Sequence, residues 1–141
     1  GDTGPTGSTG AAGSTVNNAS FYLSANTNVA TNTRIPFDLQ NTLNGTGITN
    51  SLGAISLSAN TTYCIAYNVE LTDTTTFFCA LFFNGTVIPG TTVGTNNGAA
   101  ISSGVIFNTG AVGNTLEVRN ISGTTQNFAG GECNIRIFQL S

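Results

Sequence analysis

The chain has no histidine, no lysine, no methionine and no tryptophan. Each absence closes off some chemistry. Without histidine there is no Ser–His or Cys–His pair to activate a nucleophile. Without lysine there is no Schiff base and no Ser–Lys pair. Charge is equally scarce. Arg34, Arg119 and Arg136 are the cations, six carboxylates oppose them, and the formal net charge is -3. Three scattered arginines are too few to displace the counterions of a nucleic acid or to hold an anionic membrane surface. No apolar run approaches the ~20 residues of a membrane-spanning helix. Cys64, Cys79 and Cys133 make an odd count at spacings that fit neither a disulfide framework nor a zinc site, so they are expected as buried free thiols.

The six carboxylates offer little more. Glu70 and Asp73 are near neighbours in the chain and form the one pair to weigh as a glycosidase-like couple. At a strand end entering a turn they read instead as solvated. Asp38, Glu70 and Asp73 have the hard oxygens that calcium takes, but no Asp-x-Asp run supports a site. We assign no catalytic residue, no metal and no cofactor. Asn44-Gly45-Thr46-Gly47 lacks the trailing glycine and the helix of a phosphate loop. Sequons at Asn18, Asn44, Asn60, Asn84 and Asn120 follow from a composition rich in Asn, Ser and Thr.

What the chain does have begins with GDTGPTGSTGAAG. Glycine stands at Gly1, Gly4, Gly7, Gly10 and Gly13, in strict register, with a proline at Pro5. In a collagen triple helix only glycine fits at the crowded axis, so it must recur every third residue. Four triplets are too few to hold a triple helix alone. Residues 1–13 therefore read as the end of a longer collagen-like stalk. Residues 14–141 read as one domain of ordinary size, expected to be trimeric because the stalk needs three chains.

After Gly13 short apolar runs alternate with clusters of Asn, Gly, Thr and Ser, which predicts an all-β domain. Strands are expected over Ala19–Ala25 and Thr33–Leu39, where Pro36 suits only an edge or a strand end. Two short strands should flank Gly53. TTYCIAYNVEL alternates best, with Tyr63, Ile65, Tyr67, Val69 and Leu71 on one face and Cys64, Ala66, Asn68 and Glu70 on the other. Phe77 to Phe83 is apolar on both faces, so this strand is expected to be covered on both sides. Asn84-Gly85 and Pro89-Gly90 predict turns. Further strands are read over Ala99–Gly110, Asn114–Ser122 and Glu132–Leu140. Eight to ten strands in about 120 residues fit two packed antiparallel sheets, a sandwich or jelly roll.

Several of these stretches carry a resemblance. Ile35-Pro36-Phe37-Asp38, Leu57-Ser58-Ala59-Asn60-Thr61-Thr62-Tyr63 and Phe83-Asn84-Gly85-Thr86-Val87-Ile88-Pro89-Gly90 follow a glycine-triplet segment. In order and spacing they resemble the C-terminal domain of bacterial spore-surface (exosporium) collagen-like glycoproteins of the BclA type. The family's glycine before the central-strand tyrosine is replaced here by Thr61-Thr62, and the cysteines are not part of its pattern. The resemblance implies a homotrimeric jelly roll of the tumour-necrosis-factor and complement globular-head type, at the tip of a fibre on the outer face of a spore or its appendage. It implies glycosylated stalk threonines, here Thr6 and Thr9. It also implies anchoring partners in the exosporium, reached through a missing N-terminal part, and host surface molecules at the exposed tip. If the first, central and last strands share the sheet that packs at the threefold axis, Tyr22, Tyr63, Tyr67, Phe138 and Leu140 are interface candidates. Cys64 and Cys133 would then lie on neighbouring strands, where a disulfide is conceivable but not favoured.

Two other readings compete with a structural fibre head. An adhesin or phage-fibre head would recognise a glycan or a host protein, yet the segments Asn26–Asn32 and Gly90–Asn97 carry no aromatics. A hydrolase is opposed by the missing histidine and lysine.

Overall fold

Period-two alternation runs through most of the chain, and a computed structural model shows what it builds. The structure describes residues 17–141 and Gly4. But for Gly4, the Gly-X-Y segment lies outside them, as do Thr6 and Thr9.

Among the described residues there are fourteen strands and no helix. The first seven are β1 (Asn18–Tyr22), β2 (Thr27–Val29), β3 (Thr33–Arg34), β4 (Leu39–Asn44), β5 (Ile48–Ser51), β6 (Ala54–Leu57) and β7 (Thr62–Val69). The others are β8 (Phe77–Phe83), β9 (Thr86–Val87), β10 (Val93–Thr95), β11 (Ile101–Asn108), β12 (Thr115–Asn120), β13 (Gln126–Phe128) and β14 (Asn134–Gln139). Fourteen exceeds the eight to ten expected. The surplus consists of short or wholly exposed strands: β4 is exposed along its entire length, and β2, β10 and β13 have three residues each.

Every pairing is antiparallel, and the two main sheets form a jelly-roll sandwich. One has the order β11-β7-β14-β1-β4. The other has the order β10-β8-β12-β6-β5, with β3 added on β12 and β9 on β8. Strands β13 and β2 close one end. The core lies between the sheets. Phe21, Ile65, Val69, Ile135 and Ile137 come from the first, and Phe77, Leu81, Ile55, Leu116 and Val118 from the second. Phe77 and Phe128 meet edge to face, with centroids 5.9 Å apart.

Tight turns set the registers. Asn84 and Gly85 have φ of 51° and 80° between β8 and β9, as a type I′ hairpin requires. Leu52 and Gly53, at 45° and 86°, do the same between β5 and β6. Gly53 is obligatory for a second reason: a side-chain carbon there would lie 2.1 Å from the Ile35 carbonyl oxygen.

The fully buried Asn120 and Thr91 are satisfied by neutral partners. The Asn120 amide donates to Val29 O (2.9 Å) and Thr124 O (3.0 Å), and its oxygen accepts from Ser122 N (3.0 Å) and Ser122 Oγ (2.6 Å). Thr91 Oγ1 donates to Ile88 O at 2.7 Å and accepts from Leu81 N at 3.1 Å. Replacing Asn120 with Ala strands the buried Val29 carbonyl and removes the bond to Thr124 O. We expect Asn120→Ala to lower unfolding stability by about 2–4 kcal/mol, read from the shift in urea midpoint with the slope unchanged.

Candidate functional site

The five strands of the first sheet contain one charged residue, Arg136. Their alternation buries one face in the sandwich and leaves the other open. Register fixes what that open face presents. Ile106 on β11 stands opposite Cys64 on β7, and Cys64 stands opposite Phe138 on β14. The next row holds Gly104, Ala66 and Arg136, continuing to Ser20 on β1. The row beyond holds Ser102, Asn68, Asn134 and Tyr22. Leu140 extends β14 by donating its N–H to Thr62 O at 2.8 Å.

The apolar row is exposed. Ile106 is 65% accessible, Phe138 47% and Leu140 44%. Three cross-strand apolar neighbours with no covering layer form a continuous strip rather than scattered hydrophobic residues. Arg136 beside them is held flat by Asn68 Oδ1 (3.0 Å) and Asn134 Oδ1 (3.2 Å). Tyr22 is half-buried and borders a shallow depression of about 380 Å³ with Ser20, Asn41, Gly131, Asn134 and Arg136.

The opposite sheet differs. Phe77 to Phe83 was expected to be covered on both sides, but among the described residues no further layer lies over its outer face. Its outward aromatics are screened only in part, and Phe78 stays 42% exposed. The Phe78 ring lies across Gly94, where an added carbon would sit 2.0 Å from it. Phe82 lies beneath the Arg119 guanidinium, 4.5 Å from the ring centroid. What distinguishes the five-stranded sheet is the alignment of its apolar residues across three strands.

Of the five interface candidates, Tyr22, Phe138 and Leu140 lie on the outward side of this sheet. Tyr63 and Tyr67 do not: both are completely buried inside the protomer. They share the inward face of β7 with Ile65 and Val69, and each hydroxyl has a partner there. Tyr67 Oη donates to Thr91 O at 2.6 Å. Tyr63 Oη accepts from Ser58 N at 3.1 Å and donates to Gly47 O at 3.3 Å. Period two then hands the outward positions to Cys64 and Ala66. Cys64 and Ile106 are the members of the strip that sequence reasoning left out, and the alternation of β7 itself was the available signal for Cys64.

All three cysteines are free. Cys64 points outward beside Phe138, whereas Cys133 is buried and precedes Asn134, which pairs with Asn68. They lie at opposite ends of the ladder on opposite faces, so no disulfide joins them. Among the described residues no three potential metal ligands gather. Asp38 is taken up by Ser24, whose N–H donates at 2.9 Å and whose hydroxyl donates to the other oxygen. Asp73 Oδ1 accepts from Thr75 Oγ1 at 2.8 Å within its own turn.

The chain resembles solved proteins in fold but not in sequence. It matches no protein-family model and no curated protein in sequence. It does match solved folds. The PRD1 vertex protein P5 superposes with a TM-score of 0.65 at 18% identity, covering 92% of this chain and 100% of that one. The Eiger TNF of S. frugiperda gives 0.69 at 14% identity, covering 89% and 92%. The globular domain of the zebrafish complement 1qA protein gives 0.66 at 9% identity, covering 89% and 98%. The fold is thus the jelly roll of the tumour-necrosis-factor and complement-head type.

Burial pushes the Cys133 thiol up to about 11 and the Cys79 thiol higher still. Both are expected to stay unreactive toward a thiol reagent near neutral pH until the domain unfolds, as quantified by mass spectrometry of the labelled protein. The Ser24 hydroxyl, more than the Ser24 N–H, holds Asp38 below the usual carboxylate range. A lowered folded-state pKa adds stability above the unfolded value and loses it as pH falls through the folded one. Ser24→Ala should therefore lower the Tm at neutral pH and have no effect once Asp38 is protonated in the folded state.

Proposed function

We propose that this chain is the non-enzymatic head of a homotrimeric, collagen-stalked surface fibre, and that the open face of the five-stranded sheet is where its three heads meet. The observation that carries the reading is the exposed row Ile106–Cys64–Phe138 on a sheet with a single charge. Interfaces between chains are poor in charge at their centre and rich in aromatic and aliphatic contacts, and this face has that composition. Gly104 beside Ala66 keeps the middle of the face low, so a neighbouring chain can approach closely.

Three lines agree on a threefold assembly. Glycine at every third position of the first thirteen residues supports a three-chain collagen-like stalk. The fold neighbours include TNF and complement heads. The resemblance to exosporium glycoproteins implies the same arrangement, and on that resemblance we assign the fibre to the outer surface of a bacterial spore. Thr6 and Thr9 are then its glycosylated stalk residues, and exosporium proteins its anchoring partners. The likeness to the PRD1 vertex protein, which spans all of that chain, favours a second reading as a receptor-binding head of a virion fibre. Both readings place the head outermost.

Light scattering over a dilution series should give about three times the 14.4 kDa chain mass. Ile106→Asp and Phe138→Asp should give the mass of one chain with an unchanged β-type circular dichroism spectrum. Cys64 should resist a thiol reagent in the assembled protein and react in both variants. A single-chain mass for the unmutated protein at every concentration would overturn the trimer reading.

A further inference from the structure

The other main sheet carries a feature that assembly leaves unused. Strand β12 changes partner along its length. β6 pairs Thr115 and Leu116, whereas β3 pairs Arg119 and Asn120. Glu117 stands in the gap between them. The gap is an open depression of about 390 Å³ lined by Asn32, Thr33, Arg34, Pro36, Leu52, Glu117 and Arg119.

Its charges are concentrated and fixed. Two of the chain's three cations, Arg34 and Arg119, are directly opposite each other across the β3–β12 ladder. Like charges in that relation are destabilising, and this protein elsewhere crosses its sheets with Thr, Ser and Asn. Glu117 compensates one of them. Its Oε1 accepts from Arg119 Nε (2.9 Å) and Nη2 (2.7 Å), and its Oε2 lies 3.5 Å from Arg34 Nη1. Phe82 supports the Arg119 guanidinium from below, and Arg34 Nε donates to Leu52 O at 2.8 Å. Both guanidinium groups are thus held in place. Among the described residues Arg34 Nη2 and Arg119 Nη1 have no protein partner, and one positive charge is left over.

The rim is unusual in a second way. Leu52 occupies the first position of a type I′ turn with φ of 45°, where Asn, Asp or Gly is favoured. A bulky residue in this region is strained, and such strain is retained mainly at functional sites. Leu52 is 57% exposed, so core packing does not explain it. What it supplies is an aliphatic wall, together with the Pro36 ring, beside the two arginines.

We infer that this depression binds the carboxylate of an acidic saccharide. Arg34 Nη2 and Arg119 Nη1, one uncommitted donor from each positioned guanidinium, can each take one oxygen of a planar carboxylate. Leu52 and Pro36 meet the C–H face of a sugar ring, and Asn32 and Thr33 meet its hydroxyls. An extended peptide fits less well. Proline has no N–H to offer, and Val118 O is already bonded to Ile35 N at 2.8 Å, so no free strand edge is available. The site lies on the sheet opposite the face proposed for assembly, and does not depend on the oligomeric state.

The test is an amide-resonance titration of the full chain with tri-galacturonate. Maltotriose serves as the neutral control, and a short peptide with a free C-terminal carboxylate as the alternative acid. Saturable shifts at Asn32, Thr33 and Leu52 with tri-galacturonate alone are expected. Arg34→Gln should weaken binding about tenfold or more while leaving distant resonances in place. Leu52→Asn should raise the Tm by relieving the turn and weaken binding, a combination that a purely structural Leu52 does not produce. No saturable shift with tri-galacturonate, or the same affinity in Arg34→Gln, overturns the site. Equal binding of maltotriose, or tighter binding of the peptide, overturns the ligand assignment.

Discussion

The inward face of β7 is the constraint on which the molecule depends. This strand pairs with both β11 and β14, so it is central to the five-stranded sheet. Tyr63, Ile65, Tyr67 and Val69 all point from it into the sandwich and are fully or almost fully buried. Tyr67 reaches across to Thr91, which follows β9 in the opposite layer, and Thr91 in turn bonds the backbone of Leu81 and Ile88. One strand thus joins the two layers by apolar contact and by a polar chain of neutral groups. Because β7 is buried on that side, its other side is bound to be the protomer's surface, and everything inferred about assembly follows from this geometry.

A protein with 6% charged residues must satisfy its buried polar atoms without ion pairs. It does so with Thr, Ser and Asn at strand ends, as at Asn120, Thr91 and Thr109. Such groups carry a smaller desolvation penalty than charges and can be buried when hydrogen-bonded. The few charges are then available for other uses. Their gathering at Arg34, Glu117 and Arg119, on a sheet otherwise made of neutral side chains, makes that spot electrostatically distinct. The two sheets divide the surface: one presents an uncharged apolar strip, the other a small cationic depression.

The parts of the fold that were legible are those where a local pattern has a single physical solution. TTYCIAYNVEL alternates strictly, so its two faces were assigned correctly. The pair of strands around Gly53 and the Asn84-Gly85 hairpin follow from residues that accept positive φ. The strands that escaped notice carry no such pattern. Leu39–Asn44 lacks strict alternation and is exposed throughout, and it is a strand because β1 offers it an edge. Thr27–Val29 and Gln126–Phe128 form through each other, nearly a hundred residues apart in the chain.

The sequence by itself determined the all-β class, the main strands and the exclusion of histidine- and lysine-based chemistry, because composition and period two act locally. Only the tertiary structure decided which face of each strand is open. It put the interface candidates Tyr63 and Tyr67 in the core, aligned Ile106, Cys64 and Phe138 across three strands, and set Arg34 against Arg119. Such neighbours come from ladder register between distant segments. Register is decided by how all the strands pack together, not by the residues within any one of them.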